Sequence, residues 1–220
     1  MRSLSRIAPL ALTLTLIWAG PAFAATFTVT TTEDVRICNQ LTCGLRAAVE
    51  AANANGDAED DLIVVPAGTY RLGGQLNVTG TRITIAGAGA DRTIIEPVEV
   101  GRVLLVSPNA ELTVRDATLR NGFVANAEAG GNVWVQSFAS LRLQRVRITN
   151  GRAGRGGGIA TAGAARLEIS QSLIDGNSAL GANTLGGGIF VEGQTLSTVV
   201  TIHDSTIVGN SAPFGGGIAV

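Results

Sequence analysis

Residues 141–159 read LRLQRVRITNGRAGRGGGI. Leu141 and Leu143, then Val146 and Ile148, are apolar positions separated by polar ones. That period-two alternation marks short half-buried strands. Asn150-Gly151 is a turn signal, and Gly156-Gly157-Gly158 comes before Ile159. The pattern recurs three more times. Upstream, Leu112, Val114 and Leu119 precede Asn121-Gly122 and close near Gly130-Gly131-Asn132-Val133. Downstream, Leu167, Ile169, Ile174 and Asn177 close on Gly186-Gly187-Gly188-Ile189. Last come Val200, Ile202, Ile207 and Asn210, closing on Gly215-Gly216-Gly217-Ile218. Equivalent apolar positions lie 29, 26 and 33 residues apart, and the glycine triplets 30 and 29 apart.

Repeats of that length mean stacked supersecondary units. Helical repeats are excluded, because glycine triplets break helices and the alternation has period two. The Leu/Asn consensus of a leucine-rich repeat is absent. The predicted fold is all-β: a right-handed parallel β-helix in which each coil buries its inward residues only by stacking on its neighbours. From Thr81 onward there is sequence for about five coils, a rod of roughly 24 Å at about 4.8 Å per coil. Length variation is expected in loops such as Leu180 to Leu185 and Glu192 to Ser197. The chain has 29 Gly and only 4% aromatic residues, which suits a stack of short strands and tight turns.

Before the repeats, Leu62 to Val65, Thr69 to Leu72, Leu76 to Val78, Ile83 to Ile85 and Ile94-Ile95 read as further short strands. Leu45 to Asn55 is the predicted helix: Leu45, Ala48, Val49 and Ala52 fall on one face. Thr42 is placed to cap its start, Asn55-Gly56 to stop it, and Arg46 and Glu50 to pair at i,i+4. Thr26 to Thr32 alternates like a strand. The first residues form an export leader: Arg2 and Arg6, an apolar run from Leu10 to Trp18, and the small-x-small sequence Ala22-Phe23-Ala24. The expected organisation is a leader over 1–24, an N-terminal cap over 25–60 and coils over 61–220. Mature protein then starts at Ala25, secreted or held at the cell surface or outer membrane, and no later stretch is long and apolar enough to span a membrane.

In that oxidising setting Cys38 and Cys43 are expected to form a local disulfide; a pair of metal ligands is the alternative. All sixteen basic residues are Arg. Two lie in the leader, leaving fourteen against seventeen acidic residues, a mature net charge of −3. Without a block of like charge, nucleic acid is not an implied partner. No cofactor motif or metal-ligand spacing is present, so the sequence implies neither cofactor nor metal.

Thr42-Cys43-Gly44-Leu45-Arg46-Ala47-Ala48-Val49, running to Ala52-Asn53, resembles the Cys-Ser-Leu-Arg-Glu-Ala motif that opens many bacterial surface β-helix proteins. Gly44 stands for Ser and Ala47 for Glu. Val64-Val65-Pro66-Ala67-Gly68-Thr69-Tyr70 is similar to the opening coil of pectate-lyase-like β-helices. The units ending Ile174-Asp175-Gly176-Asn177 and Ile207-Val208-Gly209-Asn210 resemble the repeats of polymorphic outer-membrane proteins. The resemblance implies that Leu45, Arg46, Val49, Ala52 and Asn53 belong to a lid over the open end of the coils, where bare strand edges invite aggregation.

Candidate chemistry is sparse. Asp116, Arg145, Gln171 and Asp204 fall at equivalent repeat positions and mix both signs, unlike a calcium cluster or a carboxylate pair. Arg142, Arg145 and Arg147 suit either an acidic sugar or a solvated face. A candidate ligand face consists of Arg145, Asp204 and Trp134, with the indole suited to stacking on a sugar ring. Asn150, Asn177 and Asn210 are read as a ladder of amides satisfying turn backbone. His203 is read as a surface residue and Asp57 to Asp61 as a solvated acidic loop. The expected function is a non-catalytic surface, adhesion or glycan-binding module, with extracellular polysaccharide or a host surface as partner. The alternative is a polysaccharide lyase or hydrolase using Asp91, Asp116, Arg145 and Asp204 in one groove. Because the sequence stops within the equivalent of Ile189-Phe190-Val191, further coils are expected downstream, with self-association through the open C-terminal coil.

Overall fold

A computed structural model describes residues 24–56, 60–125, 128–193 and 197–220. All but the last residue of the leader, and residues 57–59 of the acidic run, lie outside these. Among the described residues the chain is a parallel β-solenoid of three long sheets and one two-stranded sheet (Arg152–Ala153 with Ser178–Ala179), with one short helix.

The first sheet stacks Thr26–Thr28, Asp61–Val64, Ile83–Ala86, Glu111–Arg115, Ser140–Gln144, Arg166–Ser170 and Val199–His203. The second stacks Gly68–Leu72, Thr93–Pro97, Thr118–Arg120, Arg147–Thr149, Leu173–Asp175 and Thr206–Val208. The third stacks Leu76–Val78, Leu104–Val106, Val133–Val135, Ile159–Thr161, Ile189–Val191 and Ile218–Ala219. The chain visits them in that order on every coil. Five coils follow Thr81, as the sequence predicts, and one opening coil precedes it.

The register is the repeat made physical. Leu112 pairs with Leu141, Leu141 with Leu167, and Leu167 with Val200. The spacings of 29, 26 and 33 are therefore single turns of the coil. Alternation sends Leu141, Leu143, Ile148, Val133 and Val135 inward, where they are buried in one continuous column. Ala110, Ala139 and Ala165 stack as a small buried ladder beside it. The last coil has strands on one side only. Its Val200, Ile202 and Ile207 are partly buried, and Val199, Val208 and Ile218 are exposed.

Each corner repeats its conformation more faithfully than its chemistry. Between the first and second sheets, Asp116, Arg145, Gln171 and Asp204 share a left-handed φ of 50–58°. Left-handed backbone is unfavourable for residues with a Cβ by roughly 1–2 kcal/mol, so the corner is imposed by the stack. After the second sheet, Asn121, Asn150, Gly176 and Gly209 occupy one left-handed position (φ 54–64°). This corrects the predicted amide ladder: Asn150 is one residue out of step with Asn177 and Asn210.

The third rung comes from the other end of the same connection between the second and third sheets. Asn132 replaces the last glycine of the triplet and reaches across the coil. Its Oδ1 accepts the Gly122 N–H at 2.8 Å, and its Nδ2 donates to Thr149 O at 3.0 Å and Asn177 Oδ1 at 3.2 Å. Asn177 Oδ1 accepts the Gly151 N–H at 2.8 Å, and Asn177 Nδ2 donates to Asn210 Oδ1 at 2.9 Å. These amides satisfy backbone that the apolar column leaves without partners. They also explain the triplets. A Cβ on Gly158 would lie 2.6 Å from Gly188 O and 3.0 Å from Asn177 Cγ.

The helix Leu45–Ala54 packs against the opening strands, with Leu45, Ala48, Val49 and Ala52 buried. Its N-cap is Gly44, which makes no side-chain cap, so Thr42 does not serve; Asn55 is the C-cap. A Cβ on Gly44 would fall 2.5 Å from Val35 O, which accounts for the missing Ser of the resembled motif. Arg46 does not pair with Glu50. It is buried, and its fork bonds Asp34 (Nε to Oδ1 and Nη2 to Oδ2, both 2.9 Å), Gln75 O and Gly74 O. Glu50 pairs with Arg36 instead. Asn53 accepts the Thr79 and Gly80 N–H groups and donates to Asn77 O. Cys38 and Cys43 form a disulfide just before the helix.

Two stability outcomes follow from this packing. Thr161 stands in the inward column between Val135 and Val191, with a buried hydroxyl that has no hydrogen-bond partner among the described residues. Thr161→Val is expected to stabilise by about 1 kcal/mol in urea unfolding. Gly158→Ala is expected to cost about 1–3 kcal/mol by overpacking, whereas Gly74→Ala, which meets nothing within 4 Å, stays within about 0.5 kcal/mol of the parent.

Candidate functional site

The left-handed corner between the first two sheets lines a shallow groove with Asp91, Asp116, Arg145, Arg147, Gln171, Ser172 and Asp204. All four residues of the enzymatic alternative therefore border one groove, but they are not one catalytic cluster. Asp116 and Arg145 are tied together: Arg145 Nε donates to Asp116 Oδ1 at 2.7 Å and Nη2 to Oδ2 at 2.9 Å. Asp204 lies 3.3 Å from His203 Nδ1, and both side chains are exposed.

The electrostatics of the pair are those of a tie. The bidentate bond from Arg145 holds the Asp116 carboxyl below its ordinary range, helped by Arg115 and opposed by burial. The same bond raises Arg145 above the usual guanidinium value. A general acid needs a raised carboxyl and an arginine base needs a lowered guanidinium. Both shifts run the other way.

The pattern extends along the rod. Arg147 binds Asp175 through two bonds of 2.9 and 2.6 Å, and the carboxyl is lowered while the guanidinium is raised. Arg142 donates to Glu168 at 3.0 Å. Glu96 sits between Arg71 and Arg120, at 3.1 and 2.7 Å. Burial works to raise Glu96, but bonds from Arg120, Arg71 and Asn121 outweigh it and the carboxyl is lowered. Each of these pairs joins one coil to the next. Arg142, Arg145 and Arg147 are thus engaged between coils; Arg145 and Arg147 border the groove, and Arg142 leaves from the first sheet outside it.

Trp134 is elsewhere. It points outward from the third sheet, in register with Leu105 on one side and Ala160, then Phe190, on the other. The structure separates it from the Arg145 and Asp204 corner, so the predicted ligand face divides in two. The sequence offers Trp134, just after the Gly130-Gly131 turn, as a ring for stacking, but holds no information about which sheet it leaves from.

The indole has a partner that sequence reading missed. The Arg102 guanidinium carbon lies 5.0 Å from the ring centroid, although Arg102 is only 5% exposed. Its nitrogens donate to Gly130 O, Ala129 O and Gln75 Oε1, each at 2.8 Å. Burial lowers Arg102, against the pull of Glu128 at 3.5 Å. Arg155 lies 5.7 Å from the Phe190 ring and Arg152 5.5 Å from Phe123. Trp134 and Phe190 thus share the outward column of the third sheet with Ala160 between them, each with an arginine beside its ring, and such contacts are worth about 0.5–2 kcal/mol each. No group of His, Cys, Asp and Glu suited to a metal ion occurs among the described residues. No helix among them is long and apolar enough to cross a membrane.

Among solved structures, the chain is similar to a mutant pectin methylesterase in complex with a hexasaccharide, with a TM-score of 0.41 and 10% identity over 84% of this chain and 67% of that one. No family model matches the chain, and no curated protein matches it.

The lowered carboxyls fix a pH dependence. A carboxyl lowered by folding contributes stability above its unfolded value, near 4, and loses it as pH falls through the folded value. Melting temperature is expected to hold from pH 7 to about 5 and fall below about 4, by a modest amount for each half-exposed pair. Asp116→Asn combined with Asp175→Asn should flatten that acid limb, read by circular dichroism.

Proposed function

We propose that this chain is an exported, non-catalytic β-helix module that binds glycan along its outer surface, acting in adhesion or cell-surface structure. The observation that carries the reading is Trp134: a partly exposed indole on the outward side of the third sheet, with a buried arginine beside its ring. Sugar rings present apolar C–H faces that stack on aromatic rings, and their hydroxyls take hydrogen bonds from flanking polar groups. A rigid platform binds with little ordering cost. The outward column continues to Leu105 and Ala160 at the coil spacing, and repeat solenoids offer such regular faces to extended ligands.

The alternative, a lyase or hydrolase, draws on the corner groove. Its support is that Asp91, Asp116, Arg145 and Asp204 share one lining. Against it stand the directions in which Asp116 and Arg145 are shifted.

The test uses chain beginning at Ala25 and a panel of acidic and neutral polysaccharides, with binding followed by affinity electrophoresis and turnover by reducing-end release. Binding without turnover is expected, and Trp134→Ala should weaken it at least tenfold, about 1.4 kcal/mol, while lowering the melting temperature by only a few degrees through loss of the Arg102 contact. Turnover that disappears on replacing Arg145 or Asp204 would establish the enzymatic alternative.

A further inference from the structure

The lowest coil carries a carboxylate where the coils above carry hydrocarbon. Asp61 pairs with Ile83, and Ile83 with Leu112, so Asp61 occupies the inward column of the first sheet. It is 1% exposed. Its Oδ1 accepts the Ala25 N–H at 2.8 Å and Asn55 Nδ2 at 2.8 Å. Its Oδ2 is buried with no hydrogen-bond partner among the described residues. A buried carboxylate with half its acceptor capacity unused is strongly unfavourable. The acidic run from Asp57 therefore does not end as a solvated loop, since Asp61 begins a strand and turns into the core.

We propose that Asp61 is the receptor for the α-ammonium of Ala25, created when the leader is cut after Ala24. The proposal rests on the export reading. It joins two independent observations. The small-x-small pattern Ala22-Phe23-Ala24 places the cut at the Ala24–Ala25 bond. The nitrogen freed by that cut is the one already bonded to the buried carboxylate. Ala24 is exposed, and Ala25 O accepts the Leu62 N–H at 2.8 Å, so Ala25 is the first of the described residues tied into the sheet.

The chemistry balances simply. A leader-removing endopeptidase adds water across the amide: the hydroxyl goes to the Ala24 carbonyl carbon, the C–N bond breaks, and nitrogen leaves as an amine. With an ordinary pKa of about 7.7–8.0 the amine takes up a proton at neutral pH. An amide offers Asp61 one hydrogen and no charge. The ammonium offers three hydrogens, two more than the amide, and a full positive charge that offsets the buried carboxylate. Processing thereby completes the bottom of the core.

The experiment has two parts. Full-length chain is expressed in an exporting host, and its mature N-terminus is read by intact mass and Edman sequencing. Chain beginning at a free Ala25 is then compared by thermal melting with the same chain N-terminally acetylated, and with one extended by Gly-Ser. Blocking the amine is expected to lower the melting temperature by roughly 5–10 °C. In Asp61→Asn chain, free and blocked forms should melt together. Equal melting of free and blocked forms with Asp61 intact overturns the pair, and that comparison needs no replacement of Asp61. A cut at another bond overturns the proposal together with the leader reading, so the two failures are told apart.

Discussion

Parallel strands stacked at about 4.8 Å must return, on every coil, to a point directly above where the previous coil began. That closure condition governs the molecule. It requires three corners whose turning is the same in every coil, and it explains why Asp116, Arg145, Gln171 and Asp204 share a left-handed φ despite unlike side chains. Conformation at the corners is shared while their chemistry is free. Extra length is tolerated only where it leaves the register untouched, as between Leu180 and Leu185, so 26-, 29- and 33-residue coils superpose strand for strand.

The same geometry decides what the charges do. Pairs such as Asp116–Arg145, Asp175–Arg147 and Glu168–Arg142 join residues one coil apart. A guanidinium is a planar fork that spans neighbouring coils with two parallel bonds, which a lysine ammonium does not do. The all-arginine composition fits this use, although such half-exposed pairs each contribute little. Residues that looked in sequence like a ligand-facing row are partly the stitching of the rod.

Most of the architecture was legible in sequence because a solenoid writes its period directly into the apolar pattern. Most strand positions, the stacking spacings and the helix itself could be read there; Leu104–Val106 was missed, and the helix's place over the opening strands was implied by the resemblance. What escaped depends on where a side chain crosses between coils. Asn150 looked equivalent to Asn177, since Asn-Gly and Gly-Asn are near mirror images in sequence, but only the register shows which residue takes the left-handed position. Asn132 was visible as the odd member of a glycine triplet, yet its reach into the next coil was not. Arg46 seemed a surface partner for Glu50 because helix spacing is local, whereas Asp34 and Gly74 approach it from distant segments. Trp134 and Arg145 appeared to share a face because alternation reports inside from outside and is silent about which of three outsides.

The helix, the disulfide and the Arg46 network all sit at the N-terminal end. That end is synthesised first and carries the most local contacts: the Cys38–Cys43 loop is short, and Arg46 reaches Asp34 within twelve residues. Every later strand pairs with one laid down roughly a repeat earlier. Each coil is thus a template for the next, and order can spread along the rod from any coil already formed.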